Sequence, residues 1–283
     1  MLPVAFLAEN TEGVHKVRVS LRRMRALLKI VRPYYQKKFL VATRIDLKFI
    51  RDVHGRVRDM DVFHQNFALN FSESHPGEDY QSAIWQPVFN QTYQDYLSQI
   101  RSAVTQDITQ QLIQTLNKFQ NSNELLEDQK LIDSLPQNIA AFLPAALNNQ
   151  LEKILEFQLH PDGDRQYSSH HQLRLLAKAH RYTYEFFQSV LEPEPTQQLI
   201  TAMTSLQDHL GELNDTVQAI RLITSHQSLQ MSSFVSSTLS DYGLALREKQ
   251  NILLTTLPDV WGEFVSANPH SMLNEAIAPL KKI

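Results

Sequence analysis

Basic side chains recur along residues 14–32 with the spacing of one face of an α-helix. Successive members are three or four positions apart, so on a helix of about 3.6 residues per turn they form one stripe. Arg presents a planar fork of N–H donors and Lys a compact ammonium, and both bind phosphate oxygens. The stripe contains no acid, so its like charges repel one another unless an anion lies along it. Its members are His15, Arg18, Arg22, Arg25, Lys29 and Arg32.

A second basic stripe is predicted on the following helix. Its members recur at intervals of four, three and seven residues, and they are Arg44, Lys48, Arg51 and Arg58. Asp52 and Asp59 lie on the same segment, and ion pairs with these acids are the alternative explanation for some of the arginines. Two antiparallel helices with facing basic stripes would form a positive groove that concentrates anions. An extended anion fits this arrangement better than a single small phosphate.

These stripes stand out against the charge of the whole chain, which has 283 residues and a formal net charge of −3. Residues 1–60 contain 14 Lys and Arg against 5 Asp and Glu, a local charge of +9. Residues 61–283 contain 13 against 25, a charge of −12. A mildly acidic protein therefore carries its positive charge in one place, and the net charge alone would not indicate a polyanionic partner.

The composition favours an all-α fold. Only 7 glycines occur, and the β-branched runs that strands need are scarce. Helices are predicted over 14–32, 38–60, 79–119, 137–158, 167–190, 195–222, 229–256 and 258–265, with a linker at 121–130. The apolar face of the first helix is predicted at Val14, Val17, Leu21, Met24, Leu28 and Val31. The core contacts of the second are expected from Ile45, Phe49, Val53, Val57 and Met60.

Composition also disfavours several classes of protein. The chain has no cysteine, which excludes disulfides and thiolate metal sites. No apolar run approaches the roughly 20 residues of a membrane span. The first ten residues lack the basic and long apolar regions of a signal peptide. We therefore expect a cytoplasmic protein with no membrane partner.

The chain contains an internal repeat with an offset of 156 residues. The segment DVHGRVRD at 52–59 corresponds to DHLGELND at 208–215, with no gap. By the same offset, the first basic stripe corresponds to His171, Arg174, Lys178 and Arg181. This match predicts two homologous helical halves, over 1–120 and 131–283, packed around a pseudo-twofold axis. The first half is expected to lack the opening helix that residues 137–158 give the second.

The two copies differ in charge. Thr204, Gln207 and Ala179 stand where the first copy has Lys48, Arg51 and Arg23. Much of the positive charge of the first copy is therefore missing from the second. We expect the first half to dominate the affinity for an anion.

Four motifs in this order resemble the CHAD family, the conserved histidine α-helical domain. The first two are HKVRVSLRRMR at 15–25 and LKFIRDVHGRVRDMDV at 47–62. The other two are HQLRLLAKAHRY at 171–182 and LQDHLGELND at 206–215. The resemblance covers most of the chain. The CYTH domain that often accompanies this family, with its ExExK strand motif, is absent, so we expect a standalone CHAD domain.

The resemblance implies two pseudo-symmetric four-helix bundles around a central basic channel. It also implies binding of inorganic polyphosphate and association with polyphosphate granules. The family's ligands carry over to His15, Arg18, Arg22, Arg25, Lys48, Arg51, Arg58, His171, Arg174, Lys178 and Arg181. Lys29 is added by the helix geometry of the first stripe and not by the family. No catalytic residue, metal or cofactor is expected.

Two other functions fit parts of the sequence. A basic helix also suits a nucleic-acid backbone, although no aromatic residues are interleaved in the stripe for base stacking and no known module is present. A polyphosphate-processing phosphohydrolase would need a metal held by carboxylates. His54, Asp59, Asp61 and His64 are the nearest candidates for such a cluster, and they match no metal-site signature. A binding protein that is not an enzyme is the preferred interpretation.

Overall fold

The computed structural model describes residues 11–105, 107–121, 124–157, 163–226 and 231–282. These residues are helical or in connecting turns, apart from one isolated β-bridge between Tyr35 and Leu126. The α-helices are α1 (Thr11–Ile30), α2 (Lys37–Ser74), α3 (Asn90–Thr105), α4 (Asp107–Asn121), α5 (Gln129–Asp133), α6 (Ile139–Leu155), α7 (Gly163–Phe187), α8 (Pro193–His226), α9 (Ser233–Ser266) and α10 (Pro269–Ala276). The prediction of an all-α protein is confirmed. Every described helix is too short or too polar to cross a bilayer.

Two helices are longer than the sequence predicts. Helix α2 does not end near residue 60, because Phe63, Phe67 and Phe71 recur every four residues and are almost fully buried. Helix α9 does not break at Pro258. Leu257 and Phe264 on either side of this proline are both buried in one core, and this packing outweighs the lost backbone hydrogen bond.

A nine-residue π-helix, Gln81–Phe89, precedes α3. Such helices are rare, and this one contains Pro87, which has no N–H to donate. It buries four apolar side chains, Ile84, Trp85, Val88 and Phe89. The predicted helix 79–119 is therefore three consecutive helices in the structure.

The chain divides into two compact units. Unit 1 consists of the described residues of Met1–Ser20, Ile45–Gln114 and Leu213–Leu253. Its core is rich in aromatic residues, with Phe67 stacked on Tyr242 at a centroid distance of 4.2 Å. Aromatic pairs of this kind add about 0.5–1.5 kcal/mol beyond their buried area.

Unit 2 consists of the described residues of Leu21–Arg44, Thr115–Glu212 and Leu254–Ile283. Its core is mainly aliphatic. One face of α6 supplies Leu143, Leu147, Leu151 and Ile154, all fully buried. Ile30, at the end of α1, belongs to the same core. The predicted halves 1–120 and 131–283 are a different division of the chain and stay a prediction.

The apolar face predicted for α1 is largely confirmed, since Val17, Leu21 and Leu28 are buried and Met24 and Val31 are half-buried. The side chain of Val14 lies outside the described residues. The face predicted for the start of α2 is partly wrong. Ile45 is 62% exposed and Phe49 37% exposed, whereas Leu47 and Ile50 are buried. Val57 and Met60 are buried as predicted.

Candidate anion-binding site

The predicted ligands fall in both compact units. Arg18, Lys48, Arg51 and Arg58 belong to unit 1, and the remaining ones with described side chains are Arg22, Arg25, Lys29, His171, Arg174, Lys178 and Arg181 in unit 2. His15 lies in α1, but its side chain is outside the described residues. The structure therefore assigns each unit its own set of cations.

In unit 1, Arg18 of α1 lies against Gly55 of α2. A Cβ atom at position 55 would stand 2.9 Å from Arg18 Nη1, closer than real Cβ contacts allow. Arg18 Nη2 is also 3.9 Å from Asp59 Oδ1, and the side chain of Arg18 is only 13% exposed. Because residue 55 is a glycine, the Arg18 guanidinium has room to reach α2. Asp59 is one of the two acids that the sequence analysis named as ion-pair partners for arginines.

The other predicted cations of unit 1 lie along α2. Arg51 pairs with its neighbour Asp52, the second predicted acid. Lys48 is exposed, and no described carboxylate lies within ion-pair distance of it. Arg58 is half-buried, and its charge lies near Asp61.

Asp61 of α2 is a half-buried carboxylate. Its Oδ1 accepts a hydrogen bond from the Tyr93 hydroxyl at 2.9 Å. Burial raises the pKa of this carboxyl, and the Tyr93 hydrogen bond and the Arg58 charge partly oppose that effect. Asp61 is therefore a polar anchor between α2 and α3, next to the basic stripe.

In unit 2, the first basic stripe meets its repeat. Arg22 Nη1 of α1 is 3.5 Å from the hydroxyl of Tyr182 on α7. Arg181 lies over the ring of the same tyrosine, with Cζ 5.5 Å from the centroid. Tyr182 itself is buried. One aromatic side chain thus contacts two cations, and these contacts offset part of the repulsion between them.

Glu185 is a neighbour of the predicted ligands that the sequence pattern did not indicate. Its Oε2 is 3.1 Å from Arg23 Nη2, and its Oε1 is 3.4 Å from Arg181 Nε. The spacing of four residues between Arg181 and Glu185 on one helix would have revealed the second pair. Helix α7 therefore supplies a carboxylate to Arg23 of α1 and to its own Arg181.

The second copy replaces cations by neutral groups that serve the fold. Thr204 accepts a hydrogen bond from Arg181 Nη1 at 3.2 Å. Gln207 is 2% exposed, and its Nε2 donates to the carbonyl of Ala177 at 2.9 Å. Neither side chain adds positive charge at these positions.

The remaining predicted ligands of α7 differ in depth. Arg174 is buried with 9% exposure, whereas His171 and Lys178 are half-buried. The neighbouring His170 is also buried, and loss of hydration lowers its pKa. Accessible positive charge on α7 is therefore smaller than the sequence pattern indicates.

A buried hydrogen-bond network around His180 of α7 was not predicted. The Tyr184 hydroxyl lies 2.7 Å from His180 Nε2, and His180 Nδ1 lies 3.1 Å from Gln150 Oε1. An amide oxygen only accepts, so Nδ1 carries the proton and Nε2 accepts from the tyrosine. Burial lowers the pKa of His180 to about 3, so this histidine is neutral.

Among the described residues, no group of three or more His, Asp or Glu side chains is arranged to hold a metal ion. His54 is fully buried, with Nδ1 2.9 Å from the carbonyl of Ile50 one turn earlier. His64 packs edge-on against Trp85, with a centroid distance of 4.2 Å. These contacts are those of packed side chains.

Comparison with known proteins identifies the family of this chain and structures of similar fold. A family model described as the CHAD domain matches residues 3–224. Among solved structures, PptA from Streptomyces chartreusis is similar with a TM-score of 0.66 and 14% identity, covering 90% of each chain. The CHAD domain from the plant Ricinus communis is similar with a TM-score of 0.59 and 19% identity. The match covers 95% of this chain and 84% of the Ricinus communis chain. No curated protein matches the sequence.

Proposed function

The chain belongs to the CHAD family, and from that premise we propose that it binds inorganic polyphosphate through the basic stripes of α1, α2 and α7. The observation that carries the proposal is positive charge without counter-ions. Within the described part of the chain, Arg22, Lys29 and Lys48 have no carboxylate within ion-pair distance. Arg22 instead contacts a phenol, which leaves its charge available.

Polyphosphate is a flexible chain of negative charge with no bases to stack on or read. A row of Arg and Lys side chains binds such a chain by many weak phosphate contacts, each of which releases counter-ions. Affinity then depends steeply on salt concentration. The histidines His15 and His171 would add donors to phosphate in their protonated forms.

The proposed architecture follows the family. Two pseudo-symmetric four-helix bundles would surround a central basic channel, with the repeat-related helices α1 and α7 as its main ligand-bearing elements. The 156-residue offset and the shared contact of Arg22 and Arg181 with Tyr182 support this arrangement. Association with polyphosphate granules is part of the proposal, and co-localisation of a fluorescent fusion with stained granules tests it.

The test compares two triple variants by fluorescence anisotropy with polyphosphate of defined length. Arg18, Arg22 and Arg25 to Ala should weaken binding by at least tenfold and flatten its salt dependence. The control replaces Lys130, Arg247 and Lys281, three exposed cations, and removes the same net charge. Equal losses in the two variants would show that only total charge matters and would refute the site.

A nucleic-acid binder is the second candidate, because a basic stripe with no acidic member also suits a phosphodiester backbone. Competition at fixed ionic strength separates the two. The two polymers are compared at equal concentrations of phosphate groups. Polyphosphate should displace labelled DNA, whereas DNA should not displace labelled polyphosphate. Equal displacement in both directions contradicts a preference for polyphosphate. Phosphate release from polyphosphate with Mg²⁺ or Mn²⁺ would instead indicate a phosphohydrolase.

A further inference from the structure

The hydroxyl of Tyr182 on α7 is a buried hydrogen-bond donor with an unused proton. The residue is only 5% exposed, and its hydroxyl oxygen lies 3.5 Å from Arg22 Nη1. Because a guanidinium donates and never accepts, the tyrosine oxygen is the acceptor in this contact. Within the described residues, the Tyr182 hydroxyl donates no hydrogen bond of its own. Buried donors are nearly always paired, so this proton indicates a partner other than the described side chains.

The carboxylate one turn later on α7 does not serve as this partner. Glu185 Oε2 is 3.1 Å from Arg23 Nη2, and Glu185 Oε1 is 3.4 Å from Arg181 Nε. Both oxygens therefore already face guanidinium groups. Neither accepts a hydrogen bond from the Tyr182 hydroxyl.

A second hydroxyl in contact with Arg181, that of Thr204 on α8, is fully used by the fold. It accepts from Arg181 Nη1 at 3.2 Å and donates to the carbonyl of Ile200 at 2.7 Å. The proton of Thr204 is therefore directed into its own helix. Tyr182 differs from Thr204 because its hydroxyl only accepts.

The charges around the phenol favour an anion as the missing acceptor. Arg22 lies at the hydroxyl, and Arg181 lies over the ring with Cζ 5.5 Å from the centroid. An oxygen that reaches the hydroxyl therefore enters the field of two positive charges, which stabilises a charged acceptor more than a neutral one. Arg22 is half-buried, and its exposed part gives an anion access to the pair.

The contact between Arg22 and Tyr182 is weak in the absence of a ligand. Its distance of 3.5 Å exceeds the range of about 2.7–3.2 Å that N–H···O hydrogen bonds prefer. An anionic oxygen at this place would accept from the guanidinium and from the hydroxyl together. Such charge-assisted hydrogen bonds are shorter and stronger than those between neutral groups.

The phenol belongs to the second copy of the repeat only. By the 156-residue offset, Tyr182 corresponds to Ala26, whose side chain cannot form hydrogen bonds. The second copy is also the one in which Ala179 and Thr204 stand in place of cations. A neutral donor is therefore present where positive charge is missing.

We propose that the Tyr182 hydroxyl binds phosphate, giving its proton to a phosphate oxygen that Arg22 also holds. This role of Tyr182 rests on the proposed function and adds a neutral donor to its cations. The motif at 171–182 ends in this tyrosine, but the predicted ligands did not include it. Because the ring is buried and lies against Arg181, the hydroxyl is fixed before the ligand arrives, which lowers the entropic cost of binding.

The first experiment measures the binding of tripolyphosphate and of long-chain polyphosphate by calorimetric titration. Tyr182→Phe keeps the ring beside Arg181 and removes only the hydroxyl. It should weaken tripolyphosphate binding by about tenfold, which corresponds to about 1.4 kcal/mol, because a hydrogen bond to a charged oxygen is lost. Long-chain binding should fall by less, since a long chain also contacts the cations of the stripes.

The matched control is Tyr34→Phe. It removes another hydroxyl of unit 2, which donates to the carbonyl of Pro136 at 2.6 Å. This variant should bind both probes as the wild type does. Denaturation curves verify that both variants are folded.

The second experiment determines whether the hydroxyl donates to the ligand or only accepts from Arg22. Replacement of Tyr182 by 3-fluorotyrosine gives a more acidic phenol, which donates a stronger hydrogen bond and accepts a weaker one. Measured at pH 6, where the fluorinated phenol is protonated, tripolyphosphate should bind this protein a few-fold more tightly than the wild type. Phenylalanine and 3-fluorophenylalanine at the same position measure the effect of the fluorine atom alone.

The outcomes separate the role of Tyr182 from the proposed function. If the wild type binds neither probe, the proposed function itself fails. If the wild type and Tyr182→Phe bind both probes equally well, Tyr182 is not a ligand and the proposed function stands. If the fluorinated phenol weakens binding after correction for the fluorine atom, the hydroxyl only accepts from Arg22, and its donation to phosphate is overturned.

Discussion

Arg22 Nη1 of α1 lies 3.5 Å from the Tyr182 hydroxyl of α7, although 160 residues separate them in sequence. The tyrosine ring also lies beneath Arg181, the repeat counterpart of Arg25. The contact connects the basic stripe of α1 to its repeat on α7. Arg22 makes this contact with a neutral group, whereas Arg181 is also paired with Glu185.

This difference predicts unequal losses from matched pairs of substitutions. Arg22→Ala with Arg25→Ala should weaken polyphosphate binding by at least tenfold, whereas Lys178→Ala with Arg181→Ala should cost only a few-fold. The second pair loses a cation that Glu185 already neutralises in part. Titration of both variants at one salt concentration measures the difference, with denaturation curves to verify folding. Equal losses would contradict the asymmetry of the two copies.

The two repeat-related glycines offer a matched pair for stability. A Cβ at Gly211 meets nothing within 4 Å, so Gly211→Ala should stabilise the protein by about 0.8–1 kcal/mol through helix propensity. Gly55→Ala gains the same propensity but displaces the end of Arg18, so we expect a smaller gain in the free energy of unfolding and weaker polyphosphate binding. Urea denaturation and anisotropy measure the two effects. Identical behaviour of the two variants would show that the Arg18 position is unimportant.

Because His180 is buried and neutral, we expect the free energy of unfolding to fall in mild acid. Its folded-state pKa is about 3, against about 6.5 in the unfolded chain, so between these values the unfolded state binds more protons. The contribution of neutral His180 to the free energy of unfolding is therefore fully present above about pH 6.5. It falls on acidification by up to about 1.4 kcal/mol per pH unit, which amounts to about 2 kcal/mol by pH 5. Chemical denaturation at pH 7 and pH 5 measures this change.

The control for this prediction is His270→Gln, which replaces a histidine whose side chain is 44% exposed and should preserve most of the pH dependence. His180→Gln should reduce the slope. Because that variant loses the Tyr184 hydrogen bond and is less stable at every pH, NMR titration of the wild type provides a second measurement. Protonation of His180 in the folded protein near pH 6 would contradict the predicted burial effect.

The helical content and the core face of α1 could be predicted, because both follow from local spacing in the sequence. The start of α2 could not. Ile45 and Phe49 share the helical period of the basic stripe, but Leu47 and Ile50 are the residues that reach the core. Two apolar sets compete on that helix, and only tertiary packing decides between them.

The candidate site divides in the same way. The cations of the stripes were visible from their types and spacing, since like charges at helical intervals are a local pattern. The contact of Arg22 with Tyr182 was not, because it joins helices far apart in the chain. Glu185 lies between these cases: its pair with Arg181 is local, whereas its pair with Arg23 is not.

Glu185 has a consequence for selectivity among anions. Its carboxylate already occupies donors of Arg23 and Arg181, so a phosphate that approaches these arginines must compete with an anion that is part of the protein. A lone orthophosphate brings one set of contacts to that competition, whereas a chain anchored at neighbouring cations brings the next phosphate at a high effective concentration. For the proposed polyphosphate site, we expect this internal carboxylate to discriminate by valency, because small anions compete with it poorly and polymeric ones compete well.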